Sequence, residues 1–348
     1  MIIIRPIREQ DFSGLKNIAI DSGSGFTSLP VDDKRLEDKI HCSVQSTEQA
    51  FSTRGEQSYL FVLEDLTIGE IVGTTGIEAT IGLSSPMFHY HVSQIVQCSK
   101  TFGVQKQHQV LTVCNDYNGV SEICTLYLNP KYRKTKAGRL LSKVRFMFMA
   151  QHPERFSDSV IAEMRGVADK DGNPPFWNWL QQHFFHLSFA QVDHLVGTGQ
   201  KTFISELMPS YPVYVSSLPK EAQDVIGHVH ENTKPALGLL RKEGFEYKGY
   251  VDLFDAGPTV EARLKNIKSI RESFVAHVEI VAASELSKND GHSYAISNTS
   301  IKNFRATVSS EVIVHKTMIT ENSRISISHQ LADALMVNKG DLLRVLAV

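Results

Sequence analysis

The feature that most constrains this chain is a strand that runs through a short basic loop into a helix, within residues 122–141. The apolar segment Ile123–Leu128 is typical of a strand, and Asn129-Pro130 ends it. Gly138 then opens a helix that we expect to continue to Gln151. Backbone N–H groups at a helix N-terminus bind phosphate, and the helix dipole adds to that attraction.

Four cations surround the same turn: Arg133, Lys134, Lys136 and Arg139. One interpretation is a pyrophosphate site formed by Gly138 and these side chains. The alternative is a solvated basic turn, because most runs of charge on a protein surface have no ligand.

Composition excludes several classes of protein. With 348 residues, the chain is long enough for about two to three domains. Hydrophobic residues make up 42% of it, which is ordinary for a globular protein. The 36 lysines and arginines against 38 acidic residues leave a net charge of −2, so we expect no binding to bulk nucleic acid or to an anionic membrane surface.

The four cysteines, Cys42, Cys98, Cys114 and Cys124, form no metal-binding or disulfide-scaffold spacing. Scattered thiols suggest a reducing compartment. No apolar stretch approaches the roughly 18 residues of a membrane span, and no secretory signal is apparent. We therefore expect a cytoplasmic protein without a bound metal.

The order of elements predicts an α/β architecture. Strands alternate with helices up to about residue 195, whereas residues beyond about 270 are mostly β with polar loops. Between them, Ala222–His230 has partial helical spacing, and Pro235–Lys242 is typical of a helix closed by Gly244. We place domain boundaries at 1–195, 196–265 and 266–348.

Two motifs resemble the GCN5-related N-acetyltransferase fold. The spacing R-x-x-x-x-G from Arg133 to Gly138 is similar to the acyl-CoA loop of that fold, and Ile4-Arg5-Pro6 followed by Asp11 is similar to its first strand. Lys136 stands where the family usually has its first glycine. The resemblance implies a mixed sheet flanked by helices, followed here by a small β-rich C-terminal domain, with residues 1–195 binding acyl-CoA and 196–265 completing the active site.

A closer resemblance covers roughly residues 4 to 260. Ten segments, in order, are similar to bacterial arginine N-succinyltransferases: Thr27-Ser-Leu-Pro30, Phe61-Val-Leu-Glu-Asp65, Glu122–Leu128, Leu141-Ser-Lys143 with Arg145–Ala150, Ala162-Glu-Met-Arg-Gly166, Pro175-Phe-Trp177, Gly197-Thr-Gly-Gln-Lys201, Glu221–Gly227, Glu243-Gly-Phe245, and Phe254-Asp255 with Gly257-Pro-Thr259.

The resemblance implies transfer of succinyl from succinyl-CoA to the α-amino group of L-arginine, the first step of arginine catabolism to glutamate and succinate. Succinyl-CoA would be a co-substrate, with no permanently bound cofactor. His230 matches the family's acid, although His228 lies only two residues away. Leu126 matches a succinyl-CoA contact, and Arg133, Lys134, Gly138 and Arg139 would hold the phosphates.

The chemistry is consistent with these roles. A histidine can donate a proton or a hydrogen bond near neutral pH. A backbone N–H near Leu126 can polarise the thioester carbonyl. Arg165 and Lys201 are candidates for the carboxylates of the substrates, and Glu78, Glu163 or Asp116 for the guanidinium.

Three alternatives stay open. The acceptor could be ornithine or another amine, or the chain could sense succinyl-CoA or arginine without turnover. A covalent route through Cys124, which lies on the same strand as Leu126, is also open. We expect small-molecule partners only, and a homodimer or higher homo-oligomer supported by the region beyond about residue 270.

Overall fold

The computed structural model describes residues 1–23, 26–48, 54–133, 135–200, 202–288, 291–317 and 322–348. The strands are β1 (Ile2–Pro6), β2 (Ser58–Asp65), β3 (Glu70–Glu78), β4 (His89–Ser99), β5 (Val104–Cys114), β6 (Ser121–Leu128), β7 (Ser159–Glu163), β8 (Val213–Tyr214), β9 (Glu246–Val251), β10 (Pro258–Arg263), β11 (Phe274–Val281), β12 (Tyr294–Asn298), β13 (Ala306–Ser309), β14 (Ile313–His315), β15 (Arg324–Ser328) and β16 (Leu342–Ala347). The helices are α1 (Phe12–Ser22), α2 (Asp33–Glu48), α3 (Ala137–Gln151), α4 (Pro175–His183), α5 (Phe189–Gly197), α6 (Thr202–Leu207), α7 (Lys220–Gln223), α8 (Lys234–Glu243), α9 (Lys268–Glu272) and α10 (His329–Leu335).

These strands form one sheet in the order β14-β15-β11-β16-β12-β13-β1-β2-β3-β6-β7-β10-β9-β4-β5-β8. The sheet is mixed, because β6–β7 and β11–β15 are parallel pairs and the other pairs are antiparallel. The predicted α/β fold, a mixed sheet flanked by helices with a β-rich C-terminal region, is confirmed.

Helix α3 packs its apolar side on the centre of this sheet. Its buried residues include Phe146 and Phe148. Phe148 makes edge-to-face contacts with Phe61 of β2 and with Phe304, at centroid distances of 5.1 and 5.2 Å. Phe304 comes from the C-terminal region, so that region shares the main hydrophobic core.

The C-terminal strands continue the sheet through β13, which pairs with β1 at Ala306 and Ile4. Most of them also enclose a second cluster of buried side chains of their own. The three domain boundaries placed from the sequence stay predictions.

The motif Ile4-Arg5-Pro6 with Asp11 has a structural role. Arg5 is only 4% exposed and lies 2.6 Å from Asp11 and 2.5 Å from Glu64. A buried guanidinium needs such partners, because an unpaired buried charge is strongly destabilising. These contacts join the start of α1 to strands β1 and β2.

Candidate active site

A cleft of about 1670 Å³ opens between strands β6 and β7. The two strands pair only at Ser121 with Val160 and Glu122 with Ile161, and they diverge beyond these residues. The cleft is lined on one side by residues 122–128 and on the other by residues 162–165. Divergence of two parallel strands leaves backbone groups of both accessible to a ligand between them.

Strand β6 carries a bulge within the cleft. Its pairing with β3 passes from Tyr127 opposite Thr74 to Cys124 opposite Gly76, so Thr125 and Leu126 lie opposite a single residue. Thr125 has a φ of 53°, which is rare for a β-branched residue. Such strain concentrates at functional sites, and a bulge redirects the backbone at this point. It lies at Leu126, the residue expected to contact the thioester.

The basic loop lines the same cleft. Arg133, Lys136, Gly138 and Arg139 all contribute to its wall, whereas Lys134 lies outside the described residues. Nε of Arg133 donates to the carbonyl of Leu128 at 3.2 Å, which ties the loop to the end of β6.

Lys136 fits the loop without strain. It caps α3 with a φ of −75°, which any residue adopts, and its Nζ donates to Oγ of Ser293 in the C-terminal region. The lysine at this position therefore links the loop to the C-terminal strands.

Protein packing does not explain the glycine at position 138. Of the residues that the structure describes, a Cβ atom there would meet only Leu128, at an ordinary contact distance of 3.5 Å. Gly inside a helix costs about 1 kcal/mol relative to Ala. The backbone N–H groups of Gly138 and Arg139 lie in the first turn, where no intrahelical carbonyl is available. These two features leave both the space and the free donors that a close-approaching anion needs.

His230 lies at the edge of the cleft. Its backbone N–H donates to the carbonyl of Arg165 at 2.9 Å, and its Nδ1 accepts a hydrogen bond from the backbone N–H of Asn232 at 3.1 Å. Arg165, Asn232 and Thr233 are among the described residues that line the cleft, whereas His230 itself is not. Burial and the Arg165 charge lower the pKa of His230 below 6.5.

The segment that carries both histidines is extended. Val229 forms an antiparallel bridge with Gly166. The helix that the spacing of Ala222–His230 predicts is therefore wrong beyond α7, which ends at Gln223. His228 is exposed, and its Nδ1 contacts the carbonyl of Ile226 at 3.1 Å. Of these two histidines, it is His230 that lies beside Arg165.

Cys124 is a poor nucleophile in this environment. Its Sγ lies 3.8 Å from the Glu78 carboxylate, which also pairs with Lys39 at 3.1 Å. Burial and the Glu78 charge raise the pKa of the Cys124 thiol well above its usual range. A thiol that stays protonated at neutral pH does not attack a thioester.

Three carboxylates lie together in the cleft, Glu163, Asp252 and Asp255, of which Glu163 also contacts Nε2 of the buried His89 at 2.9 Å. Oxygens of Asp255 accept backbone N–H bonds from Gly166 and Gly257 at 2.6 and 2.7 Å. Burial and the charges of Asp255 and Glu163 raise the pKa of Asp252. A cation bound here would relieve that repulsion.

The other acidic candidates are less suitable. Glu78 is engaged by Lys39 and by the hydroxyl of Ser58. Asp116 accepts from Tyr250 at 2.9 Å and is not among the described residues of the cleft wall. Lys201 lies outside the described residues. Asp252 was not predicted as a site residue from the sequence, although two acids, Asp252 and Asp255, directly after an extended segment were a usable signal.

Comparison with known proteins gives the family. A family model of the arginine N-succinyltransferase beta subunit matches residues 2–269, and a model of its C-terminal domain matches residues 276–347. The chain belongs to the arginine N-succinyltransferase family.

Two relatives in this family are similar over nearly the whole chain. An arginine N-succinyltransferase of Escherichia coli O6:H1 is 42% identical over 99% of this chain and 97% of its own length. One from Enterobacter sp. strain 638 is 41% identical over the same shares. The solved structure of arginine/ornithine succinyltransferase subunit AI from Pseudomonas aeruginosa superposes with a TM-score of 0.89 at 35% identity, covering 100% of this chain and 98% of that one.

Membrane spans and metal centres are two further kinds of feature that a chain of this length could carry. Across the ranges that the structure describes, no helix is both long and apolar enough to cross a membrane. No group of three or more His, Cys, Asp or Glu side chains within those ranges is arranged to hold a metal ion.

Proposed function

We propose that this protein transfers the succinyl group of succinyl-CoA to the α-amino group of L-arginine. The observation that carries the proposal is the bulge at Thr125–Leu126, located where β6 diverges from β7. The basic loop that leads into α3 at Gly138 follows this strand and lines the same cleft. Full-length similarity to arginine N-succinyltransferases supports the same activity.

The pyrophosphate of succinyl-CoA binds the N-terminus of α3, with Gly138 admitting it closely and Arg133, Lys134 and Arg139 providing positive charge. The acyl arm then extends along β6. The N–H of Leu126 donates to the thioester oxygen, which becomes an oxyanion when the amine attacks. This geometry uses backbone donors and requires no resident cofactor and no metal.

The neutral α-amine attacks the thioester carbon, a C–N bond forms and the C–S bond breaks. The proton that the nitrogen loses as the C–N bond forms passes to the departing thiolate, which leaves as the free thiol of CoA. His230 is the acid in the sense of a hydrogen-bond donor: with its Nδ1 occupied by the N–H of Asn232, its Nε2–H stabilises the oxyanion or the departing sulfur. The raised pKa of Cys124 favours this direct transfer over a covalent intermediate.

The acceptor amino acid occupies the side of the cleft beyond β7. Its cationic side chain pairs with Glu163, Asp252 and Asp255, and its α-carboxylate pairs with Arg165, which adjoins His230. Ornithine is a second candidate, since the three carboxylates also suit an ammonium group and the Pseudomonas relative is named for both amino acids.

We further propose that the protein is cytoplasmic, acts on small molecules rather than nucleic acid or membranes, and assembles as a homodimer or higher homo-oligomer. The proposed domains are residues 1–195 for acyl-CoA binding, 196–265 completing the site, and 266–348.

Free thiol released from succinyl-CoA tests the proposal. We expect release that depends on arginine, with ornithine as the comparison amine and no amine as the blank. Faster release with ornithine would reassign the acceptor. Tight binding of succinyl-CoA without release under any of the three conditions would instead indicate a sensor and overturn the proposed reaction.

A further inference from the structure

Arg145 is a buried arginine whose charge has no counterion among the described residues. It lies on α3 and is only 2% exposed. Its Nε donates to the carbonyl of Ser142 at 3.2 Å and its Nη2 to the hydroxyl of the same residue at 3.3 Å. Buried charges are normally paired, because an uncompensated one costs several kcal/mol.

The two ionisable groups that interact with the Arg145 charge cannot neutralise it. Cys124 is close, but its thiol is protonated for the reason given above. Glu243 is already paired with Lys143 at 2.9 Å and accepts two hydrogen bonds from Ser269. Burial lowers the pKa of Arg145 to about 10, so it still carries its charge at neutral pH.

Arg145 faces the cleft in which succinyl-CoA would bind. It lies seven residues after Gly138, which places both on one face of α3, roughly 10 Å apart along the axis. Its neighbour Cys124 immediately precedes the bulge at Thr125–Leu126. The order along the cleft is therefore phosphate loop, thioester position and buried cation.

We propose that the Arg145 guanidinium binds the terminal carboxylate of the succinyl group and thereby selects succinyl-CoA over uncharged acyl-CoA. Of its five donor hydrogens, two are used by Ser142, and the Nη1–Nη2 edge still offers a fork for a carboxylate. This inference rests on the proposed succinyl transfer.

Arg165 is another cation that lines the same cleft. It is half-buried rather than buried, and its carbonyl holds the backbone of His230 on the β7 side. That location suits the α-carboxylate of the acceptor, because the acceptor's amine must reach the thioester from the side on which His230 lies. Arg145 instead lies under the β6 strand, close to Cys124.

The test compares succinyl-CoA with butyryl-CoA, which has the same chain length and no carboxylate. Wild-type kcat/KM should favour succinyl-CoA strongly, because butyryl-CoA leaves the buried guanidinium unpaired. Arg145→Met should lower the succinyl-to-butyryl ratio by roughly 30- to 1,000-fold, chiefly through lost activity on succinyl-CoA. Arg145→Lys, which keeps the charge but not the fork, should give an intermediate ratio.

Lys143→Met is the matched control, since it removes a cation of the same helix that is already paired with Glu243. It should change stability but not the ratio. A folded Arg145→Met variant with the wild-type ratio would overturn the inference.

A second measurement does not depend on the variant folding. In a crystal structure of the wild-type chain with succinyl-CoA, we expect the acyl carboxylate at hydrogen-bonding distance from Arg145. A carboxylate bound to Arg165 would contradict the inference while leaving succinyl transfer intact. If the wild-type chain releases no thiol from succinyl-CoA with any amine, the proposed function itself has failed.

Discussion

The backbone N–H of Asn232 donates to Nδ1 of His230 at 3.1 Å. An imidazole whose Nδ1 accepts a hydrogen bond carries its proton on Nε2 when neutral. The two neighbouring histidines of this segment therefore differ in what they offer. His230 presents a fixed Nε2–H beside Arg165, whereas His228 is exposed to solvent.

His230→Ala should lower kcat by roughly 10²–10⁴-fold, the usual range for general acid–base catalysis. KM for succinyl-CoA should change little, since the proposed phosphate site lies at the α3 N-terminus. His228→Ala is the control and should stay close to wild type. A larger loss in His228→Ala would mean that the acid has been assigned two residues too late.

The pKa of His230 should lie below 6.5 in the folded protein, because burial and Arg165 disfavour the charged ring. When the pKa of a group is lower in the native protein than in the unfolded chain, the group stabilises the fold at pH values above its unfolded pKa. This contribution is lost as the pH falls through the native pKa. Histidine NMR titration, assigned with His230→Gln, measures the midpoint, and a value at or above 6.5 would contradict the structure.

Gly138→Ala should separate stability from binding. Among the described residues the added methyl meets only Leu128, so the helix should gain up to about 1 kcal/mol of unfolding free energy. KM for succinyl-CoA should nevertheless rise more than KM for arginine, because the methyl would occupy the proposed phosphate site.

Gly238→Ala is the matched control for that variant. Gly238 lies in α8, and within the described part of the chain no atom comes within 4 Å of the place that an added methyl would take. It should show the same gain in unfolding free energy with both KM values unchanged. If Gly138→Ala behaves identically, the loop does not bind the co-substrate.

The basic loop before α3, and the strand and helix on either side of it, could be predicted from the sequence because their signals are local. Residues 123–139 carry strand, turn and helix signals in succession, and the Gly244 end of α8 follows a simple rule, with a φ of 97°. The long hairpin of β4 and β5 was not predicted, because its exposed glutamines hide the alternation of a strand.

The missed site residues depend on tertiary structure. Arg145 belongs to the buried face of α3, but its need for a counterion is visible only when Glu243 is seen to pair with Lys143. Asp252 and Glu163 are almost ninety residues apart in the chain and meet only because β10 pairs with both β7 and β9.

Asp252→Asn should raise KM for arginine by roughly 10- to 100-fold, the usual effect of losing a hydrogen bond to a charged group. KM for succinyl-CoA should stay near the wild-type value. Asp116→Asn, which alters a carboxylate held by Tyr250, serves as the control. The acidic cluster would lose its assigned role if the two variants had equal KM values for arginine.

Cys124 should not become acylated. Intact-mass measurement after incubation with succinyl-CoA and no amine should show an unmodified chain, because the thiol stays protonated. Cys124→Ala should retain most of the wild-type kcat. A succinyl adduct that disappears on adding arginine would establish the covalent route instead.

The measurement that tests succinyl transfer most directly is the identity of the product. Wild-type protein is incubated with succinyl-CoA and L-arginine carrying ¹⁵N at the α-amino group, and the product is examined by NMR. The account predicts an amide proton coupled to the labelled α-nitrogen, together with one equivalent of free CoA. A succinyl group on the guanidinium, or hydrolysis of succinyl-CoA to free succinate without any arginine product, would contradict it.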